Sequence, residues 1–357
     1  MGVIRKYGLF KAKAPLSAPI SDASHQLTEI SFIVLRIETD KGITGEAYLL
    51  SFQYSPNAIK GALKDVGEVV LGAPVSDPQT VFEQVNALTE YFGQEGVNRW
   101  AQAAFNIAMW DAHCREMKEP VWKVLGGTKK AVPLYGSGGW ISYSEKELVD
   151  EVVRYKERGF SAVKIKVGRP DWREDLERLK QVRMAVGPEI GIMMDANQGM
   201  KVQNAVQLAL AARDLGIEWF EEPFEHTNFR DYRFLKEQTG ISLAMGEREY
   251  NIVALQELIR LNALDIWQPD LLRIGGVEAW RNSAMMAKAH HLPVLPHYYK
   301  DYDIHLLCSI DNGKAAESFD WIDPLIDHPL KVVNGTAAPH DRAGWGFQFK
   351  DSVLTEL

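Results

Sequence analysis

Residues 190–197 read IGIMMDAN, residues 217–223 read IEWFEEP and residues 242–247 read SLAMGE. Each is a short, β-rich apolar run with an acid where it ends: Asp195, Glu221 and Glu247. The acids stand 26 residues apart in both steps (221 − 195 and 247 − 221). One strand, one helix and two short loops occupy about that much chain. A carboxylate therefore recurs once per βα unit, as each strand leaves the core. In a closed (β/α) barrel the C-terminal strand ends converge on one site. Three carboxylates gathered there repel one another and raise their own pKa values. A hard divalent cation relieves that conflict, and an all-oxygen donor set suits Mg²⁺.

The same alternation extends to both sides. Candidate strands fall at 133–137, 162–167, 190–195, 217–221, 242–246, 264–268, 292–296 and 314–318, with helical segments at 145–158, 171–186 and 202–215. Gly159, Gly187, Gly216 and Gly240 stand where C-cap glycines belong. Alternation of this length fits a parallel barrel or a doubly wound sheet, and eight strands favour the barrel. The chain before it differs. Strands at 3–10 and 30–38, a hairpin turning at Lys41-Gly42, and helices at 56–70, 78–91 and 97–117 make an α+β unit. The polar, turn-rich segment Pro15–Thr28 reads as a mobile loop. The expected division is 1–128, 129–325 and a segment 326–357 that returns to the first unit.

Composition narrows the function. Of 357 residues, 46% are hydrophobic and 25% charged, which describes a soluble globular protein. No apolar run approaches the ~18 residues that cross a bilayer, and the first residues lack a signal core. The net charge of −8, with no basic run, argues against nucleic acid or an anionic membrane as partner. Cys114 and Cys308 read as reduced thiols of a cytoplasmic protein. GSGG at 136–139 lacks both the dinucleotide fingerprint and the phosphate-loop lysine.

Other strand ends carry further chemistry. Lys164 and Lys166, in AVKIKVG, lie two apart and so face one side of a strand. Inside a barrel each depresses the other's pKa, which suits a general base. Asp270 follows WQP and His297 follows LPVLP. On adjacent strands this pair fixes the imidazole tautomer and raises its pKa. Glu317, in KAAESF, can hold a substrate carboxylate if protonated or strongly hydrogen-bonded. Asn197, Arg248, Tyr54 and His25 are candidates for substrate contact, the last carried over the site by its loop. A metal, two lysines and a His-Asp pair suit removal of a proton from carbon next to a carboxylate.

The chain resembles the mandelate racemase subgroup of the enolase superfamily over essentially its whole length. The resemblance is carried by KIK at 164–166, DAN at 195–197, WFEEP at 219–223, GE at 246–247, QPD at 268–270, PH at 296–297 and ES at 317–318. AMWDAHCREMKEPVWKVLGG at 108–127 is similar to the family's cap-to-barrel junction. The resemblance implies a modified (β/α)8 barrel under an N-terminal α+β capping domain. It implies Mg²⁺ on Asp195, Glu221 and Glu247. Lys166 would be one base, with Lys164 assisting, and His297 with Asp270 the acid or base on the other face. Glu317 would hydrogen-bond the substrate carboxylate, and loops near 15–29 and 50–56 would set specificity. A homo-oligomer, up to an octamer, is implied as well. The expected reaction is dehydration of an aldonate or aldarate to a 2-keto-3-deoxy acid, as the polar first loop favours. The alternative is racemisation of a 2-hydroxy acid such as mandelate, for which Phe52 and Tyr54 speak. A non-catalytic carboxylate-binding protein is the third reading.

Overall fold

Three antiparallel strands form the platform of the N-terminal unit in a computed structural model that describes residues 2–357. They are β1 (Ile4–Ala14), which a small β2–β3 hairpin (Ile20–Ser21, Gln26–Leu27) separates from β4 (Ile30–Thr39), and β5 (Thr44–Leu50). β4 is buried along nearly its whole length because helices cover the sheet. The covering helices are α1 (Pro56–Val70), α2 (Pro78–Thr89) and α3 (Gly96–Met117). Asp77 caps α2 by accepting from the Thr80 amide at 3.1 Å, and Pro78 opens the helix without losing a bonded N–H. α3 is buried on nearly every face, so it serves as a core helix between sheet and barrel. It lies so close to β5 that a Cβ on Gly45 would sit 2.1 Å from the Ala108 carbonyl oxygen.

The barrel follows. Its strands are β6 (Val132–Gly138), β7 (Ala162–Lys166), β8 (Gly191–Asp195), β9 (Ile217–Glu221), β10 (Leu243–Met245), β11 (Ile266–Trp267) and β12 (Ala316–Ser318). β6 to β11 pair in parallel in chain order, and β12 pairs with β6. Between β11 and β12 the strand expected at 292–296 shrinks to single parallel bridges, Trp267 to Val294 and Val294 to Gly313. Pro293 and Pro296 flank Val294 and have no N–H to donate, so the ladder cannot lengthen. The pairings nonetheless run round to their starting point.

One residue from each of six strands and the Val294 segment makes a separate buried cluster: Tyr135, Ala162, Met193, Trp219, Ala244, Ile266 and Leu295. This layer sets the phase of everything above it, because side chains repeat every second residue. Two residues on from the layer stand Ser137, Lys164, Asp195, Glu221, Gln268 and His297. Lys166 and Asp270 are one further step of two.

Beyond β12 the chain forms a hairpin, β13 (Val332–Val333) and β14 (Thr336–Ala337), against β6, and ends in β15 (Thr355–Glu356), which pairs with β1. On the way it is fastened to the N-terminal unit. The Trp345 amide donates to Asp111 at 2.8 Å, the Phe349 amide donates to Glu46 at 2.7 Å, and Arg36 donates to the Phe349 carbonyl at 2.6 Å. Pro15–Thr28, expected as a mobile loop, instead contains the β2–β3 hairpin and is tied to the barrel. The Ile141 amide donates to the Ser21 carbonyl at 2.8 Å, and the Ser24 hydroxyl donates to the Asn197 carbonyl at 2.5 Å. Cys114 and Cys308 are buried free thiols. Among the described residues no helix is long and apolar enough to cross a membrane.

Candidate active site

The C-terminal strand ends open into a cavity of about 260 Å³ roofed by the N-terminal unit. Lys166, Asn197, Glu247, Arg248, Asp270, His297 and Glu317 line it from the barrel, and His25 and Tyr54 from the roof. Lys164, Asp195 and Glu221 do not reach its wall and are almost completely buried.

On one side, Lys166 bonds Asp195, and its ammonium lies 5.4 Å from the centre of the Trp140 ring. Lys164 lies 2.7 Å from Glu221 and 2.6 Å from Glu317. The sequence reading had each lysine depress the other's pKa. That repulsion exists, but it loses. Burial pulls the Lys164 pKa down, yet Glu221 and Glu317 outweigh burial and lift it well above the ordinary value. Lys166 is likewise raised, with Asp195 overcoming both burial and Lys164.

On the other side, His297 Nδ1 lies 2.8 Å from Asp270 and its Nε2 3.3 Å from Glu247. Asp270 is itself fixed, accepting from the Leu272 and Arg273 amides at 2.9 Å each. Burial works against a charged imidazole, but Glu247 and Asp270 outweigh it and raise the His297 pKa.

The three acids of the opening motifs stand on neighbouring strands, with Asp195 directly opposite Glu221 in the β8–β9 register. Glu247 breaks the period-two rule: it lies three residues beyond Ala244. Gly246 makes the exception possible with φ at +136°, where a Cβ would also meet the Trp267 ring at 2.8 Å. As the side chains stand, no three His, Cys, Asp or Glu residues among those described converge closely enough to hold a metal ion. Each acid is drawn to a donor instead: Asp195 to Lys166, Glu221 to Lys164 and Gln268, Glu247 to His297, Arg248 and Arg273. The donor set still fits a hard cation. Burial, together with repulsion from Asp195, Glu317 and Glu247, pushes the Glu221 carboxyl up to about 7 despite Lys164. Asp195, Glu221 and Glu247 are buried carboxylates at the ends of neighbouring strands, and an all-oxygen set of that kind suits a hard divalent cation.

Of the two conditions set for Glu317, protonation or strong hydrogen bonding, the structure shows the second. Burial opposes its charge, but Lys164, His297 and Lys166 hold its pKa at about 2. It accepts from Ser137 Oγ at 2.7 Å and from the Tyr298 amide at 2.9 Å. An ionised carboxylate cannot donate to a second one, so Glu317 anchors Lys164 instead. Arg248 lines the cavity but is turned to Glu222 at 2.8 Å. Asn197 has φ of +40° and a buried Oδ1 without a hydrogen-bond partner. His25 Nδ1 lies 3.0 Å from Asp22, while Tyr54 is 44% exposed at the rim.

Sequence reasoning gave no role to Gln268, Ser137 or Arg273, and named Asp22 only among the polar groups of its loop. The first two were legible: each is two residues beyond a strand's core position. Asp22 reaches the cavity from a loop and Arg273 from the short helix Leu271–Ile274 beyond β11, where the strand period does not apply.

Residues 6–126 match the model of the mandelate racemase/muconate lactonizing enzyme N-terminal domain, and residues 147–353 that of the enolase C-terminal domain-like family. The chain belongs to the mandelate racemase/muconate lactonizing enzyme family. It is an enzyme of the enolase superfamily with that family's barrel and cap. Among its relatives is the L-talarate/galactarate dehydratase of Salmonella typhimurium, 28% identical over 95% of this chain and 87% of that protein. Another is the 3,6-anhydro-alpha-L-galactonate cycloisomerase of Streptomyces coelicolor, 28% identical over 94% of this chain and 93% of that one. A structure of the Salmonella dehydratase liganded with Mg and L-lyxarohydroxamate superposes with a TM-score of 0.92 at 27% identity, covering 100% of this chain and 94% of that one. A racemase from Streptomyces coelicolor with bound magnesium gives 0.94 at 26% identity, covering 99% and 100%.

Proposed function

We propose that this family member is a Mg²⁺-dependent lyase that dehydrates a sugar acid to a 2-keto-3-deoxy acid. The observation that carries the reading is the pairing of Lys166 and an Asp270-oriented His297 on opposite sides of one cavity, above three strand-end carboxylates. Relatives named for sugar-acid dehydration and cycloisomerisation support the substrate class.

Asp195, Glu221 and Glu247 would hold the ion. Bound there, Mg²⁺ would claim the oxygens that otherwise bond Lys166 and His297, easing both toward lower pKa, and would stabilise charge developing on the substrate carboxylate. Lys164, kept an ammonium by Glu317 and Glu221, adds a fixed positive charge to the floor. Lys166, as the free amine, takes the proton from the carbon next to the carboxylate. The C–H electron pair moves into the carboxylate, giving an enediolate. His297, protonated and held by Asp270, gives its proton to the β-hydroxyl as that C–O bond breaks and water leaves. The enol that remains gains a proton at C3 and gives up the proton of its C2 hydroxyl, becoming the keto acid.

The test is a screen of sugar acids with Mg²⁺, trapping keto products with semicarbazide. A 2-keto-3-deoxy product is expected. Absence of product from every sugar acid, alongside racemisation of an aromatic 2-hydroxy acid, would overturn the reading.

A further inference from the structure

We propose that the end of the substrate remote from the reacting carboxylate is uncharged: the enzyme takes a monocarboxylic sugar acid and discriminates against dicarboxylic ones. This rests on the sugar-acid dehydration proposed above and goes further by assigning charge to the far end. With the reacting carboxylate at the floor, as the proposed mechanism requires, the far end would meet the roof and the aromatic wall.

The roof supplies Asp22, His25, Leu50, Phe52, Tyr54 and Trp100, among others, but no lysine or arginine among the described residues. Its one anion, Asp22, is locked in place. It accepts from the Ser24 and His25 amides at 2.7 Å each, and His25 Nδ1 lies against both of its oxygens at 3.0 and 3.1 Å. Only 8% of its side chain is exposed. The imidazole next to it is thus oriented as a partner for a hydroxyl, with a carboxylate close behind it. A second substrate carboxylate there would face Asp22, while Lys166, the cation whose charge reaches Asp22, is held by Asp195.

The wall agrees. Phe319 and Trp321 stack with centroids 4.5 Å apart at 22°, Trp140 and Trp321 lie 6.1 Å apart at 25°, and Phe52 meets Trp321 edge-on at 6.0 Å and 78°. Ring faces carry partial negative charge, so they welcome C–H groups and repel anions. The cations that line the cavity are already engaged: Lys166 by Asp195, Arg248 by Glu222, His297 by Asp270, and Arg273, whose guanidinium also lies 5.6 Å from the centre of the Trp100 ring, by Glu247.

The Mg²⁺-loaded protein is assayed with matched pairs, galactonate against galactarate and gluconate against glucarate. Product formation and exchange of the α-proton with solvent deuterium are both followed. The kcat/KM for the better aldonate is expected to exceed that for its aldarate by about tenfold or more. Equal or better turnover of an aldarate overturns this inference and leaves the dehydratase reading intact. Loss of both product and exchange with every acid overturns the dehydratase reading and this one together. Asp22→Asn is expected to shift the aldarate-to-aldonate ratio toward the aldarate by about tenfold. An unchanged ratio removes Asp22 as the discriminating group.

Discussion

Lys166 is the residue whose removal separates chemistry from architecture. Lys166→Ala is expected to lower α-proton exchange by about 10²–10⁴-fold while keeping the native circular dichroism spectrum. Retained exchange from both faces of the substrate would remove it as a base. Gly246 tests the positioning of Glu247. Gly246→Ala forces a side chain into a positive-φ site against Trp267. It is expected to cost about 1–3 kcal/mol of stability and to weaken Mg²⁺ binding, measured by denaturant titration and calorimetry. Unchanged affinity would show that Glu247 needs no such turn. At this scale the sequence was largely readable, because period two carries the phase of the Tyr135–Leu295 layer up to Lys164, Asp195, Glu221 and His297. Where a backbone exception intervenes, as at Gly246, or a side chain arrives from outside the strands, as at Asp22 and Arg273, phase gives no guidance. Charge state is less legible for a related reason: KIK shows the mutual repulsion of two lysines but not the carboxylates that surround them.

Helices and strands were legible where their patterns were long. α3 and the hairpin of β4 and β5 fall close to their expected limits. Val294 was not legible as a bridge, since LPVLP is apolar enough for a strand and only its two prolines restrict the ladder. The fastening of the tail to the sheet involves charges distant in sequence. Glu46, inside that junction, accepts from Arg36 and from the Phe349 amide. Burial raises its pKa from 4.5 to about 7, more than Arg36 lowers it. The folded state therefore holds this proton more tightly than the unfolded one. Its contribution is full below about pH 4.5 and is lost as pH rises through about 7. Thermal unfolding measured across that window should show a shallower decline for Glu46→Gln than for the native chain. Parallel curves would mean that Glu46 does not titrate there.

The whole molecule combines a barrel that supplies charge and a cap that supplies shape. The acids gather from three βα units, and the roof from loops far earlier in the chain, so no short segment contains the site. Ligand binding should therefore stabilise the assembled fold. Mg²⁺ at about 100 times its Kd is expected to add about 2.7 kcal/mol to unfolding, read as a rise in Tm that EDTA reverses. A Tm indifferent to Mg²⁺ would contradict the assignment of Asp195, Glu221 and Glu247. The most direct measurement is deuterium incorporation at the carbon next to the carboxylate, followed by NMR on a sugar acid in D₂O. It is run with Mg²⁺, with EDTA, and with Lys166→Ala. Incorporation or product formation that requires both the ion and the lysine is the predicted result. Turnover that persists with EDTA and in the variant would contradict the account.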